Sequence, residues 1–229
     1  MAAAVERAEA SEERAADPTS ATARDSVGRA ALERRAFRLA VWGNVWHLAE
    51  FGVALASGIA AGSIALVAFG IDSLVEILAG GVIMWLFTGG RKGSERAERR
   101  AQQLIAASFF LLAAYVLVDA VRALVIGAQP EASWAGIGLA AVTIPVMLWL
   151  TAAKRRVGRR LGSGATVHEA EQNLVCTYIA VALLAGLLLN ALSGWWWADP
   201  AAALVIAVVA AKEGVESWRG EEDGERATE

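Results

Sequence analysis

Asp72 and Glu76 stand one helical turn apart within the apolar stretch that runs from Ser63 to Phe87. A carboxylate at the centre of a bilayer costs about 2.5 to 3.5 kcal/mol on insertion scales. Two on one helix face therefore need a compensating cation or proton. Further polar residues recur on helical spacing in two other apolar stretches: Asn44, His47 and Glu50 at every third position, and Glu169, Gln172 and Cys176 at i, i+3 and i+7. Carboxylate, imidazole and thiolate are the donors that a first-row divalent metal accepts, with tetrahedral zinc tolerating mixed N, O and S ligands. Residues four apart on a helix have Cβ atoms about 5 to 6 Å apart, close enough to reach one ion. Brought together, the three stripes would form a single polar site enclosed by apolar helices.

Each group also has a plainer reading. Asp72 and Glu76 could share a proton or join an ion pair within the bundle. Glu50 and His47 could be a local hydrogen-bonded pair that locks helix packing. Cys176 could be a small core residue. Asp119 and Arg122, one turn apart, are expected to pair or to snorkel. His168, Lys212, Glu213 and Glu216 are expected at the interface.

The elements that carry these groups follow from composition. Of 229 residues, 56% are hydrophobic and 20% charged, which places the chain among integral membrane proteins. Acids and bases collect in tails and loops, a pattern that carries no nucleic-acid role. Six runs reach the roughly 20 residues needed to cross a bilayer: about 37 to 58, 63 to 87, 102 to 126, 134 to 153, 170 to 191 and 198 to 215. Residues 58 to 63 are too short and uncharged to be more than a tight turn, so the first two spans are antiparallel neighbours.

Lys and Arg gather before the first span (Arg29, Arg34, Arg35, Arg38), in the second loop (Arg91, Lys92, Arg96, Arg99, Arg100) and in the fourth (Lys154, Arg155, Arg156, Arg159, Arg160); the other three loops have none. That asymmetry predicts both termini in the cytoplasm. Trp195, Trp196 and Trp197 fall at the opposite interface, followed by Asp199 as the expected N-cap of the last helix and Pro200 at its first position. Pro145 predicts a kink in the fourth span. Residues 1–36 are expected to be a disordered or weakly helical cytoplasmic tail, residues 37–216 the membrane domain, and 217–229 a short acidic tail with no room for a soluble C-terminal domain. The lone Cys176 forms no intrachain disulfide.

The run from Gly62 through Asp72 to Glu76 resembles the second transmembrane helix of the cation diffusion facilitator, or cation efflux, family. Glu169 to Cys176 is similar to that family's fifth helix, and Trp197-Ala198-Asp199-Pro200 to the start of its sixth. The likeness covers about residues 37–216. It implies an all-α, six-helix transmembrane bundle in the inner or plasma membrane, homodimeric through its membrane helices. It also implies a transporter that exchanges zinc, or a related divalent ion such as iron, manganese, cobalt or cadmium, for protons. The partners are then the lipid bilayer, the cation and protons, with no prosthetic group. Carried over, Asp72 and Glu76 hold the two positions of the second helix, and Gln172 and Cys176 those of the fifth, where the family has His or Asp and then Asp. Glu50 and His47 on the first helix could supply the missing donors. An alternative is a non-transporting membrane protein that binds a cation on the same fold. An intramembrane enzyme with Cys176 as nucleophile and His47 or His168 as base lacks any accompanying oxyanion-type motif.

Overall fold

The computed structural model describes residues 18–87 and 95–226. Among these residues there are six helices and no strand: α1 (Pro18–Ala61), α2 (Ile64–Phe87), α3 (Glu95–Ile126), α4 (Trp134–Leu161), α5 (Gly164–Ser193) and α6 (Ala198–Arg226). The expected six-helix bundle is present. While α2 keeps within its expected span, the other five helices extend beyond theirs, α1 most of all. It reaches back to Pro18 through the segment expected as disordered or weakly helical, because Ala, Glu and Arg are strong helix formers. Arg91 and Lys92 lie outside the described residues.

Four helices are long and apolar enough to cross a membrane by length and composition, through Ile64–Gly81, Gln102–Ile126, Trp134–Leu161 and Thr166–Ser193. The other two carry more polar groups: α1 has Asn44, His47 and Glu50 in its middle, and α6 has Asp199 at its start and Lys212, Glu213 and Glu216 towards its end. Pro145 sits inside α4, which continues on both sides of it.

Consecutive helices pack as antiparallel neighbours, α1 on α2, α4 on α5 and α5 on α6; α1 also packs on α4, and α3 on α6. One end of the bundle, the basic end, gathers the Lys and Arg of α1 and α4. The other, the tryptophan end, carries the α1–α2, α3–α4 and α5–α6 connections. There Glu131 N–H donates to Ala61 O at 2.8 Å and Asn190 Nδ2 donates to Pro130 O at 2.9 Å, so the three connections are tied together. Trp195 and Trp197 stack beside them with ring centroids 5.3 Å apart.

The core between the helices is built from Ala54, Leu66, Phe69, Val116, Met147, Leu183 and Ile206, all fully buried. Small residues allow close approach of backbones, as is common between membrane helices. A Cβ at Gly186 would lie 2.8 Å from Ala202 Cβ and 2.9 Å from Ala198 O.

Asp199 does more than begin its own helix. Its carboxylate accepts hydrogen bonds from Ser63 Oγ at 2.5 Å and from Ile64 N–H at 2.9 Å. Thus an acid from α6 sits on the N-terminus of α2, where the unpaired amides and the helix dipole favour negative charge. Among the described residues Asp119 and Arg122 form no ion pair; Arg122 is exposed, as snorkelling requires. His168 is exposed at the basic end, and Lys212 pairs with Glu216 at 3.2 Å on the surface, both as an interfacial position would have it.

Candidate ion-binding site

The stripe on α1 turns inward at mid-helix, where Glu50 is completely buried. Two side-chain donors hold its Oε1, Trp46 Nε1 at 2.6 Å and Thr143 Oγ1 at 2.7 Å, while Ser73 Oγ, whose nearer acceptor is Phe69 O at 3.1 Å, stands 3.5 Å from Oε2. A fourth polar atom, His47 Nδ1, lies 2.9 Å from Oε2. Helices α1, α2 and α4 thus converge on one carboxylate. Its position is set by three helices at once.

His47 links this carboxylate to the next. Its Nδ1 is also 3.0 Å from Glu76 Oε2 on α2. A proton on this line can sit on the ring nitrogen or on a carboxyl oxygen. Glu76 Oε2 is buried and has no hydrogen-bond partner among the described residues, the His47 contact included. A buried acceptor left this way calls for a cation or a proton.

Cys176 on α5 completes the group. One ligand atom each from His47, Glu76 and Cys176 lies within 4.8 Å of the others. Donors around a tetrahedral zinc lie about 3.3 to 3.8 Å apart, so a modest contraction would seat an ion between them. A cavity of about 80 Å³ lies against His47 and Glu76 towards the basic end, lined further by Gly43, Asn44, Lys154, Glu169, Gln172 and Asn173.

A family model described as the cation efflux transmembrane domain matches residues 45–219, more than half of the chain. The chain belongs to the cation efflux family. Members of this family are transporters of metal cations, which accounts for a buried polar site with ligand chemistry. A search of curated proteins found none that matches.

Within this cation efflux domain the expected site residues divide by depth. His47, Glu76 and Cys176 come together; Gln172 lines the cavity on the basic side of them; Glu50 lies behind His47. Asp72 is buried on α2, one turn or about 6 Å further towards the tryptophan end, and lines neither the cavity nor the three-residue group.

Sequence reasoning missed four participants. Trp46, Ser73 and Thr143 read as ordinary membrane-helix residues, and only the meeting of three helices makes them partners of Glu50. Lys154 counts in the sequence as a basic loop residue, yet it is buried. Its Nζ lies 3.2 Å from Glu169 Oε2 and 3.5 Å from Asn173 Oδ1, against the glycine at position 43. Its neighbours Arg155 and Arg156 are less enclosed, so spacing alone offered no signal for it. The Glu169 side chain is 41% exposed, which makes this ion pair the place where the cavity meets the outside.

Proposed function

We propose that the protein exports a divalent transition-metal cation in exchange for protons, with His47, Glu76 and Cys176 as its principal donors. One observation carries the reading: His47, whose Nδ1 lies between the Glu50 and Glu76 carboxylates, offers a ring nitrogen to a compact group with Glu76 and Cys176. A proton and a metal ion compete there for the same donors. Metal ligands must be deprotonated, so binding the ion expels protons and protonation releases it.

The ion arrives through the cavity at the basic end, past Glu169 and Gln172. Gln172 offers a neutral oxygen on the way. Glu50 is the outer partner that orients the His47 ring, an arrangement common behind metal-bound histidines. Asp72, one turn deeper, is the next carboxylate on the path towards the tryptophan end. The mixed N, O and S donor set suits zinc first, with cobalt, cadmium, iron and manganese as further candidates. The reading places the basic end in the cytoplasm of an inner or plasma membrane, on the gathering of Lys and Arg there, with both termini on that side. It also takes the protein as a homodimer joined through membrane helices.

The test is flux of a panel of divalent ions into proteoliposomes holding a pH-sensitive dye. Metal uptake with opposite proton movement, absent in Glu76→Ala, is the expected result. Absence of flux for every ion in folded wild-type protein would sink the transport reading.

A further inference from the structure

The two short hairpins of the bundle are built alike. Gly58, Gly62, Ser63 and Val67 at the α1–α2 turn reappear as Gly158, Gly162, Ser163 and Val167 at the α4–α5 turn, each shifted by one hundred positions. The local geometry matches as well. Gly62 and Gly162 have φ of 66° and 64°, a left-handed conformation that suits glycine. Ser63 N–H donates to Gly58 O at 2.9 Å and Ser163 N–H to Gly158 O at 3.0 Å. The serine hydroxyl then caps the next helix, accepting from Leu66 N–H at 3.1 Å and Thr166 N–H at 3.3 Å.

The turns lie at opposite ends of the bundle, so the two units run in opposite directions. The same shift carries Asp72 onto Gln172 and Glu76 onto Cys176. It also exchanges the two rungs between α1 and α4. Gly43 approaches Leu150, an added Cβ lying 3.1 Å from its Cδ2, while Glu50 bonds Thr143; shifting 43 to 143 and 150 to 50 turns one rung into the other.

We infer that α1–α3 and α4–α6 are inverted repeats about the Glu76–Cys176 level, and that a second access route opens at the tryptophan end, along the residues equivalent to the cavity lining. Applied to the cavity, the shift converts Ala40, Gly43, His47, Lys154, Glu169 and Gln172 into Ala140, Thr143, Met147, Ala54, Phe69 and Asp72. Every one of these six counterparts is at most 3% exposed, so this route is closed in the present state. Inverted repeats that trade conformations about a fixed site are a general route to alternating access.

The packing carries a matching asymmetry. Helix α2 packs against α6, whereas the equivalent α5 and α3 make no comparable contact among the described residues. In the opposite state these two relationships exchange. Asp72, outside the cavity here, then lines the open route as Gln172 does now, and Phe69 leaves the position where it fills the closed half.

This inference rests on the transport reading for its purpose, but its test does not need flux. In full-length protein with Cys176→Ser, single cysteines are placed at Ala54, Ala140 and Ala120, all with no exposed surface in this structure. Sealed vesicles of known protein orientation are treated with a membrane-impermeant thiol reagent from the tryptophan side. Ala54→Cys and Ala140→Cys should react at least about tenfold faster than Ala120→Cys, and only from that side. An Ala40→Cys variant should react from the basic side. Rates at 54 and 140 no faster than at 120, or equal from both sides, overturn the inference. Labelling as expected, together with no divalent-ion flux in the wild-type protein that keeps Cys176, would refute the transport reading and leave the repeat standing.

Discussion

His47 Nδ1 on α1 lies 3.0 Å from Glu76 Oε2 on α2, and this contact joins the first helix to the proposed ion site. It brings the imidazole into the proposed donor group beside the carboxylate. Glu76→Gln and His47→Gln should each abolish saturable binding of zinc to detergent-solubilised protein, measured by titration calorimetry. Each removes one of the three charged or basic donors that come within 4.8 Å of one another. Wild-type affinity in either variant would remove that residue from the site.

Glu50 should matter without touching the ion. Glu50→Gln keeps the shape but weakens the acceptor that holds the His47 ring, and loss of such an outer partner typically costs 10- to 100-fold in metal affinity. Thr143→Val, which removes the 2.7 Å hydrogen bond to Glu50, should destabilise the fold by about 1 to 3 kcal/mol in a denaturation experiment.

Acid should weaken binding. If a single proton leaves the His47–Glu76 pair as the ion arrives, the apparent dissociation constant rises about tenfold for each pH unit of acidification while that proton is being exchanged. Zinc titrations at pH 6 and pH 8 in two buffers of different ionisation enthalpy would measure the affinity and count the protons released. An affinity independent of pH would separate metal from proton.

Lys154 places a positive charge on the wall of the cavity through which the proposed ion route runs. Lys154→Met keeps the aliphatic stem and removes the charge, so the half-saturating metal concentration should fall about three- to tenfold. Lys154→Arg should stay near wild type. Equal constants in all three proteins would show the lysine to be a packing element only.

Asp199 is expected to act on stability alone. Asp199→Ala removes charge-assisted hydrogen bonds to Ser63 and to the first amide of α2, at a cost of about 2 to 4 kcal/mol. Thermal melts in detergent should move accordingly, with zinc affinity of the folded protein unchanged because Asp199 sits at the end away from the cavity.

Much of the architecture was legible in the chain. Span length follows from the thickness of hydrocarbon, and the stripes at 44, 47, 50 and at 72, 76 follow from the period of the helix; both are local properties that a sequence states directly. The Gly62–Ser63 turn could be read for the same reason, since its conformation depends on one glycine and the serine after it. What remained hidden was the rotation and depth of each helix against its neighbours. Asp72 and Glu76 look equivalent in the sequence, yet a rise of about 6 Å puts Glu76 beside His47 and Cys176 and leaves Asp72 outside that group. Asp199 reads as the cap of its own helix, and packing sends its carboxylate to the start of α2. Lys154 reads as one of five loop cations, and the glycine opposite, at position 43, gives it room to turn inward. The sequence by itself determined the helices and which polar types each one carries, because those depend on neighbours along the chain. Only the tertiary structure decided which of them share a site, because that depends on side-chain packing between helices far apart in sequence.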